Sequence, residues 1–455
     1  MQIFFSIFTF FIIFTTLYSY GSFLSQKIFN NLDTDIFFKI LIGYVFIGFI
    51  TIVSHFFFEI NNIFSLVVIV VGLIIFIMKH LAISQKKYFL PLIIIILSSF
   101  FLFAYSDHSI DANMYHHPYV SYLKSEKIIF GIANIQFRFG HISFLQYVQA
   151  ALTNEYLHNI SLATINIIFY ISFIIFVSDK IFEAKLINLN LLIIFLFSCF
   201  LLIKFARYRE YGNDLIPLLV SIYFLINIIN LQSKHSLSQD NLVNLFLPFV
   251  ALMIMHKLPY IFTFLIFSPV FISLKKISID KKKLFSLIIF LILIIPWLIK
   301  NYVTTSCLIY PIEFTCFSNS LFQLNGLATA ESASWLTEIW AKGFIAHPDW
   351  QNIDLKHYAS GFNWVPTWIK SHFLKIIEII GPLILIILIF SIYIFLNKDK
   401  FLKKKKTFHF NKQYLYLWIS IFLGLMVWFY KAPVYRFGSF YIISIIIFSF
   451  ILLLN

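Results

Sequence analysis

The sequence predicts an all-α fold, a polytopic bundle of transmembrane helices. The chain of 455 residues is 60% hydrophobic and only 12% charged, and its mean hydropathy is +0.89. A water-soluble protein of this length has too little interior to hide so much apolar surface. The apolar residues also form continuous runs, without the alternation of a transmembrane β-strand. Because lipid admits only helices and closed barrels, such runs favour helices.

The number of spans follows from the thickness of the bilayer. A helix needs about 20 apolar residues to cross the hydrocarbon core, and on this rule the chain contains about 13 spans. In chain order, the spans cover residues 3–20, 36–57, 63–79, 88–105, 159–178, 186–205, 214–231, 242–256, 259–274, 284–300, 373–397, 414–430 and 437–454. The pair on either side of Lys257 is expected to form two helices or a re-entrant element.

The positions of the lysines predict the orientation. Short lysine-rich loops occur at 79–87, 275–283 and 398–412, and such loops face the cytoplasm under the positive-inside rule. Two large outer-face loops therefore remain, at 106–158 and 301–372. We expect these loops to carry short helices that lie on the membrane surface, such as an amphipathic one over residues 142–152.

On this topology the chain has four regions. Residues 1–87 form an N-terminal group of three spans, and residues 88–300 form a transmembrane core that carries the first outer loop, 106–158. Residues 301–372 form the second outer loop, and residues 373–455 form the C-terminal spans. The net charge of +14 does not indicate nucleic-acid binding, because the basic residues cluster in short loops between spans.

Two cysteines lie close together in the second outer loop. Cys307 and Cys316 flank eight residues on the side of the membrane that is expected to be oxidising. A disulfide that closes this small loop is the preferred interpretation, and free buried thiols are the alternative.

Acidic residues gather at the predicted outer edge of the membrane. Asp107 and Asp111 follow the span 88–105, and Glu210 and Asp214 lie in a short turn between two later spans. Carboxylates at this depth are costly to desolvate, and a short turn keeps its residues near the membrane edge. We therefore expect the two groups to converge. Paired carboxylates suit general-base catalysis or a divalent cation such as Mg²⁺ or Mn²⁺; solvated loop carboxylates are the alternative.

Histidines and cations accompany these carboxylates. His116 and its neighbours in the first outer loop do not have a zinc-ligand spacing, so we expect them to make hydrogen bonds. The cations expected on the same face are Arg138, Arg207, Arg209, Lys257 and Arg436. Guanidinium groups bind phosphate bidentately, so these residues suit a lipid-linked phosphate or pyrophosphate. Anchoring to lipid headgroups is the alternative.

These residues resemble the GT-C glycosyltransferases, membrane enzymes that use polyprenyl-phosphate sugars and include protein O-mannosyltransferases and the lipid A aminoarabinose transferase. The segment Asp111-Ala112-Asn113-Met114-Tyr115 is similar to their Asp-Glu/Ala-x-x-Tyr motif, and the continuation Tyr115-His116-His117-Pro118 resembles the Tyr-His-x-Pro of bacterial members. In many relatives the acidic loop follows the first span, whereas here three further spans precede it.

The resemblance implies a role for each candidate residue. Asp111, with Asp107 beside it, would be catalytic. Tyr115, His116, Glu210 and Asp214 would orient the acceptor or hold a divalent cation. The five cations would bind the donor phosphate. The expected protein is a multi-pass enzyme of a bacterial inner membrane. Its site would face the periplasm and transfer sugar from a polyprenyl-phosphate donor to a glycan, lipid or protein.

Two other functions fit parts of the sequence. A polysaccharide polymerase or ligase that acts on lipid-pyrophosphate-linked glycans would also need a large outer loop, but it would depend on Arg and His rather than on Asp111. A transporter of lipid-linked sugars would need polar residues at mid-membrane, and inverted repeats are typical of such proteins. The sequence contains few of the former and no evident repeat.

Overall fold

The computed structural model describes residues 2–28, 34–80, 111–141, 143–157, 161–183, 189–203, 212–231, 237–274, 281–318, 325–349, 351–396 and 412–454. Over these residues the fold is helical, and the described part contains no β-strand. The predicted span 88–105 lies outside the described residues, as do four predicted site residues: Asp107, Arg207, Arg209 and Glu210.

The α-helices in chain order are α1 (Gln2–Ile28), α2 (Ile36–His55), α3 (Asn62–His80), α4 (His117–Ser125), α5 (Phe144–Leu152), α6 (Ser161–Glu183), α7 (Leu189–Ile203), α8 (Leu215–Ile229), α9 (Gln239–His256), α10 (Ser268–Ile272), α11 (Lys281–Thr305), α12 (Gly326–Ala341), α13 (Leu355–Ala359), α14 (Val365–Leu396), α15 (Lys412–Lys431) and α16 (Tyr435–Leu453). A π-helix spans Ala112–His116, and 3₁₀ turns span Ile132–Asn134, Phe137–Gly140, Leu258–Phe267, Glu313–Thr315 and Phe344–Ala346.

Eight of the described helices are long and apolar enough to cross a membrane, namely α1, α2, α3, α6, α11, α14, α15 and α16. The apolar helices α7 and α8 are shorter, as is the segment Leu258–Ile272. The chain is therefore a helical membrane protein. These eight helices coincide with eight of the spans that the sequence predicts.

The first two helices cross at glycines. A β-carbon on Gly21 would lie 1.6 Å from the carbonyl oxygen of Lys39, and one on Gly43 would lie 1.9 Å from that of Leu17. Only glycine permits two backbones to come this close, and such small-residue crossings hold transmembrane helices together without a hydrophobic driving force. The α2 helix then packs on α5 and α6, so the N-terminal helices share one core with the rest.

The predicted surface helix over 142–152 is wrong in one respect. A helix forms there, as α5, but all nine of its residues are buried. It packs against α2, α3 and α4. Its polar residues find internal partners, since Gln146 completes a capping box with Ser143. A helix with an amphipathic sequence can therefore be buried in the core when its polar side chains have hydrogen-bond partners inside the protein.

The chain breaks at Lys257 between two helical segments. The α9 helix ends at His256, and Lys257 is extended, with φ −163° and ψ 113°. The 3₁₀ segment Leu258–Phe267 follows, with Pro259 in its first turn, and leads into α10. Proline suits the first turn of a helical segment, where its missing N–H would have no intrahelical partner. The two segments contact each other, and the break directs the Lys257 amine towards the site described next.

Candidate active site

A cavity of about 1300 Å³ collects most of the described candidate residues. It is lined by residues of the π-helix, the 137–141 turn, the start of α8, the break at Lys257, the 309–314 loop, the end of α12 and the start of α16. Asp111, Tyr115, His116, Arg138, Asp214, Lys257 and Arg436 all line it. The cavity therefore brings together every described residue predicted to act on substrate.

Arg436 lies between two carboxylates. One of its terminal nitrogens is 3.9 Å from Oδ2 of Asp111, and its Nε is 4.0 Å from Oδ2 of Asp214. Lys257 forms an ion pair with the other oxygen of Asp214. Two acidic residues more than 100 positions apart thus share one guanidinium, and about two-fifths of the Asp111 side chain faces solvent in the cavity.

The turn before α8 positions Asp214. Asn166 of α6 donates a hydrogen bond from Nδ2 to the carbonyl oxygen of Gly212 over 2.9 Å, which fixes the turn on α6. Lys257 packs 3.9 Å from the centre of the Phe437 ring. Burial lowers the pKa of Lys257, and the carboxylate of Asp214 opposes that shift.

Three contacts position Arg436. The indole nitrogens of Trp368 and Trp428 donate hydrogen bonds to the carbonyl oxygens of Pro433 and Val434, at 2.5 and 3.0 Å. The Trp428 ring also lies on Gly438, where a β-carbon would come within 2.2 Å of it. The turn into α16 is therefore held by two buried tryptophans, and Arg436 projects from it into the cavity.

Asp111 begins a π-helix. His117 donates its backbone N–H to the carbonyl of Ala112, five residues earlier, and Pro118 follows in the first turn of α4. Proline lacks the N–H that an α-helix would use, and single π turns are frequent at functional sites. The widened turn lets Asp111, Tyr115 and His116 line the same cavity.

Tyr115 and Arg138 form a second polar group in the cavity. The Arg138 guanidinium lies 5.4 Å from the centre of the Tyr115 ring and equally far from that of Phe137, within the range of a cation–π contact. Burial, helped by the nearby Asp111 charge, raises the pKa of Tyr115 to about 12. Its hydroxyl is therefore protonated at neutral pH and able to donate a hydrogen bond.

A hydrogen-bond chain determines the tautomer of His116. The backbone N–H of Ser143 donates to Oε1 of Gln146 over 2.9 Å, so the Gln146 amide nitrogen faces Nδ1 of His116, 3.1 Å away. An amide nitrogen only donates, so Nδ1 accepts and the proton of neutral His116 is on Nε2. Burial lowers the pKa of His116 to about 3, which keeps the ring neutral.

The disulfide loop forms one wall. Cys307 and Cys316 are bonded to each other, and residues 309–314 line the cavity. The Tyr310 ring packs against Gly140, where a β-carbon would lie 2.5 Å from it, and against the His141 ring. The Thr315 hydroxyl ties the loop together, because it donates to the carbonyl of Ile312 and accepts from the N–H of Ile309.

Other cavity residues were not predicted. Asn166 lies in an apolar span, and a side-chain amide in such a run is the signal that could have identified it. Glu313 and Glu338 line the cavity from residues 301–372, and His256 lines it at the end of α9. His256 holds Tyr44 of α2 at 2.9 Å, a partner that its sequence neighbours do not reveal.

The predicted cation ligands are described only in part, because Glu210 and Asp107 lie outside the described residues. No group of three or more His, Cys, Asp or Glu residues in the described ranges is arranged to hold a metal ion. Asp111 and Asp214 approach the same guanidinium, so the positive charge between these carboxylates comes from Arg436. A divalent ion between them would have to displace that side chain.

Comparison with known proteins assigns the chain to a family. No curated protein and no solved structure matches the sequence. A family model described as "Domain of unknown function (DUF8201)" matches residues 3–443, which include all the residues of the cavity named above. The chain therefore belongs to this family of proteins, the DUF8201 family.

Proposed function

We propose that this protein is a membrane glycosyltransferase that moves a sugar from a polyprenyl-phosphate donor to an acceptor hydroxyl. The observation that carries the proposal is the placement of Arg436 between Asp111 and Asp214 in a large cavity. One partly exposed carboxylate beside fixed positive charge is the arrangement that deprotonation of a hydroxyl and departure of a phosphate require.

Asp111 is the base in this proposal. Its carboxylate accepts the proton of the acceptor hydroxyl, and the acceptor oxygen attacks the anomeric carbon. The bond from that carbon to the phosphate oxygen breaks with its electron pair on the phosphate, which leaves as polyprenyl phosphate. Attack opposite the leaving group inverts the anomeric centre.

The cations of the cavity stabilise the charge that develops. Arg436 is within 4.0 Å of two carboxylates, and neither contact is short enough to be a hydrogen bond. Its N–H groups are thus able to turn towards a phosphate without breaking one. Arg138 and Lys257 line the same cavity. Asp107, Arg207, Arg209 and Glu210, which lie outside the described residues, are proposed to belong to the same site.

Tyr115 and His116 orient the acceptor. Both are donors at neutral pH, through the Tyr115 hydroxyl and Nε2 of His116. Sugar hydroxyls accept such hydrogen bonds, and a glycan, a glycolipid or a glycosylated protein offers them. An acceptor that carries sugar hydroxyls therefore suits the two neutral donors, Tyr115 and His116, next to the Asp111 carboxylate.

The topology of the proposal is the one that the sequence predicts. About 13 spans place the lysine-rich loops in the cytoplasm and the cavity at the outer face of a bacterial inner membrane. The eight membrane-length helices of the described residues support a bundle of this kind.

The deciding experiment compares cells with the wild type, Asp111→Asn and Asp349→Asn. Asp349 is exposed and lies outside the cavity, so its variant is a matched control. Mass spectrometry of surface glycans and lipids should show one glycan feature lost only in Asp111→Asn, with equal amounts of protein in the membrane. Full glycosylation in Asp111→Asn would refute the proposal.

A second candidate is a ligase or polymerase for lipid-pyrophosphate-linked glycans. The volume of about 1300 Å³ exceeds the upper end, about 1000 Å³, of ordinary small-ligand pockets and favours an oligosaccharide. In this alternative Arg436 would be essential and Asp111 dispensable, so normal glycosylation in Asp111→Asn with complete loss in Arg436→Gln would favour it.

A further inference from the structure

A smaller cavity of about 460 Å³ lies beside the large one. It is enclosed by the turn after α12, the outer end of α14 and the start of α16. Trp340, Val434, Tyr435 and Arg436 line both cavities. A single wall therefore separates the small cavity from Asp111, and Arg436 is the charged residue of that wall.

The two cavities differ in charge. In the large cavity, the carboxylates of Asp111 and Asp214 oppose the charges of Lys257 and Arg436. Among the described residues, no carboxylate lines the small cavity, whereas Lys375 and Arg436 do. Lys375 is exposed, one helical turn after Ser371 on α14. Arg436 is shared with the carboxylates of the large cavity, whereas Lys375 lines the small cavity alone. The small cavity thus has positive charge but no carboxylate of its own among the described residues, which favours an anion.

The remaining lining is mostly apolar, with Ser371 and His372 as its polar side chains. Trp340 and Ile345 expose about half of their surface, and the His372 ring stacks on Trp368, with 5.1 Å between ring centres and 15° between planes. Next to the cavity, α14 exposes a row of large apolar side chains, namely Ile369, Phe373, Leu374 and Ile377. The helix α14 is long and apolar enough to cross a membrane, and on the proposed topology this row would face lipid.

We infer that the small cavity binds the phosphate of a lipid-linked substrate, whose hydrocarbon chain lies along the lipid-facing side of α14. The inference rests on the proposed function, because it supplies the route by which the donor reaches the large cavity. Lys375 binds the phosphate on the membrane side and Arg436 binds it from the wall. The group attached to the phosphate then extends past that wall towards Asp111.

The test measures binding of farnesyl phosphate to the full-length protein in nanodiscs, with farnesol and inorganic phosphate as separate ligands. Ala346→Trp fills the small cavity from an exposed position, and Lys375→Gln removes its membrane-side charge. Ala328→Trp makes the same change at an exposed position of α12 outside both cavities and is the matched control.

We expect Ala346→Trp and Lys375→Gln each to weaken farnesyl phosphate binding about tenfold or more, and Ala328→Trp to leave it unchanged. Inorganic phosphate should bind more weakly than farnesyl phosphate, and farnesol should bind weakly in every variant. Wild-type affinity in Ala346→Trp would overturn the inference. If farnesol bound as tightly as farnesyl phosphate, the cavity would be an apolar groove without an anion site. If inorganic phosphate bound as tightly as farnesyl phosphate, the cavity would be a site for free anions. Either result would overturn the inference.

The outcome is separable from that of the proposed function. Asp111→Asn tests glycan transfer alone, whereas farnesyl phosphate binding is compared between the wild type, Ala346→Trp and Lys375→Gln, which all keep Asp111 and Arg436. If glycans were normal in Asp111→Asn and binding still depended on Ala346, the transfer reaction would be refuted and the lipid-phosphate site upheld.

Discussion

The side-chain amide of Gln146 donates a hydrogen bond to Nδ1 of His116 over 3.1 Å, so the cap of one buried helix determines which nitrogen of the histidine carries the proton. Gln146→Glu keeps an oxygen for the Ser143 N–H but places the second carboxylate oxygen against Nδ1. A carboxylate only accepts, so Nδ1 must become protonated.

We expect ¹⁵N NMR of histidine-labelled protein to show Nδ1 of His116 unprotonated in the wild type and protonated in Gln146→Glu, with transfer reduced about tenfold or more. Gln149→Glu, on the same buried helix but outside the cavity lining, serves as the control. An unchanged tautomer in Gln146→Glu would contradict the assignment.

His116 also predicts loss of stability in acid. Burial lowers its pKa in the folded state from 6.5 to about 3, so below pH 6.5 the unfolded chain binds a proton that the folded protein does not. The contribution of neutral, buried His116 to the free energy of unfolding is therefore fully present above pH 6.5, and it is lost as the pH falls towards 3. At pH 5 this linkage costs about 2 kcal/mol.

Melting temperatures in detergent between pH 7 and pH 5 should fall less in His116→Gln than in the wild type, because glutamine does not titrate. His357→Gln, an exposed position, should follow the wild type. Parallel curves for His116→Gln and the wild type would show that His116 does not titrate differently in the folded protein.

Arg436→Lys should impair transfer severely. A lysine keeps the charge but offers one nitrogen where the guanidinium reaches towards both Asp111 and Asp214. Loss of one preorganised charge contact of this kind typically costs about 10²–10³-fold in rate. Lys431→Arg, a charge-preserving change at an exposed position of the same cavity, should keep most activity. Transfer at the wild-type rate in Arg436→Lys would show that the shared guanidinium is not required.

The disulfide should stabilise the protein and keep the cavity wall in place. A loop of this size contributes about 2–3 kcal/mol on the chain-entropy account. Cys307→Ser with Cys316→Ser should therefore lower the melting temperature, and reductant should lower that of the wild type to the same level. Cys199→Ser is the control, since that thiol is free. A melting temperature that neither reductant nor the double variant changes would contradict a stabilising bond.

The crossing of α1 and α2 gives a matched pair of glycine variants. Gly43→Ala places a methyl group 1.9 Å from the Leu17 carbonyl oxygen and must separate the helices, whereas the nearest atom to a methyl group at Gly381 is a side-chain carbon 3.7 Å away. We expect Gly43→Ala to destabilise the protein by about 1–3 kcal/mol, as overpacking does, and Gly381→Ala to be neutral or stabilising. Equal melting temperatures of the two variants would contradict the close crossing.

The sequence predicts correctly those properties that depend on neighbouring residues or on the composition of long segments. Helical class follows from continuous apolar runs. The proximity of Asp111 and Asp214 follows from two polar turns that the membrane holds at one depth. The pairing of Cys307 with Cys316 follows from their short spacing in a loop that is predicted to face an oxidising compartment.

Prediction fails where the partner lies far along the chain. Buried Gln146 has its hydrogen-bond partner, His116, 30 residues earlier in the chain. The hydrogen-bond partner of Asn166 is the carbonyl of Gly212, 46 residues later. The small cavity joins α12, α14 and α16, and no spacing within one segment reveals it. The amphipathic pattern of α5 predicts a polar face but does not tell whether water or protein satisfies it.

The disulfide loop has a consequence for biogenesis. Its residues are part of the cavity wall, yet the bond that closes it forms only in an oxidising compartment. On the proposed orientation, a newly inserted chain has an incomplete site until its second outer loop has been translocated and oxidised. Export would thus act as a maturation step, and the enzyme would become competent only on the side of the membrane where its acceptors are found.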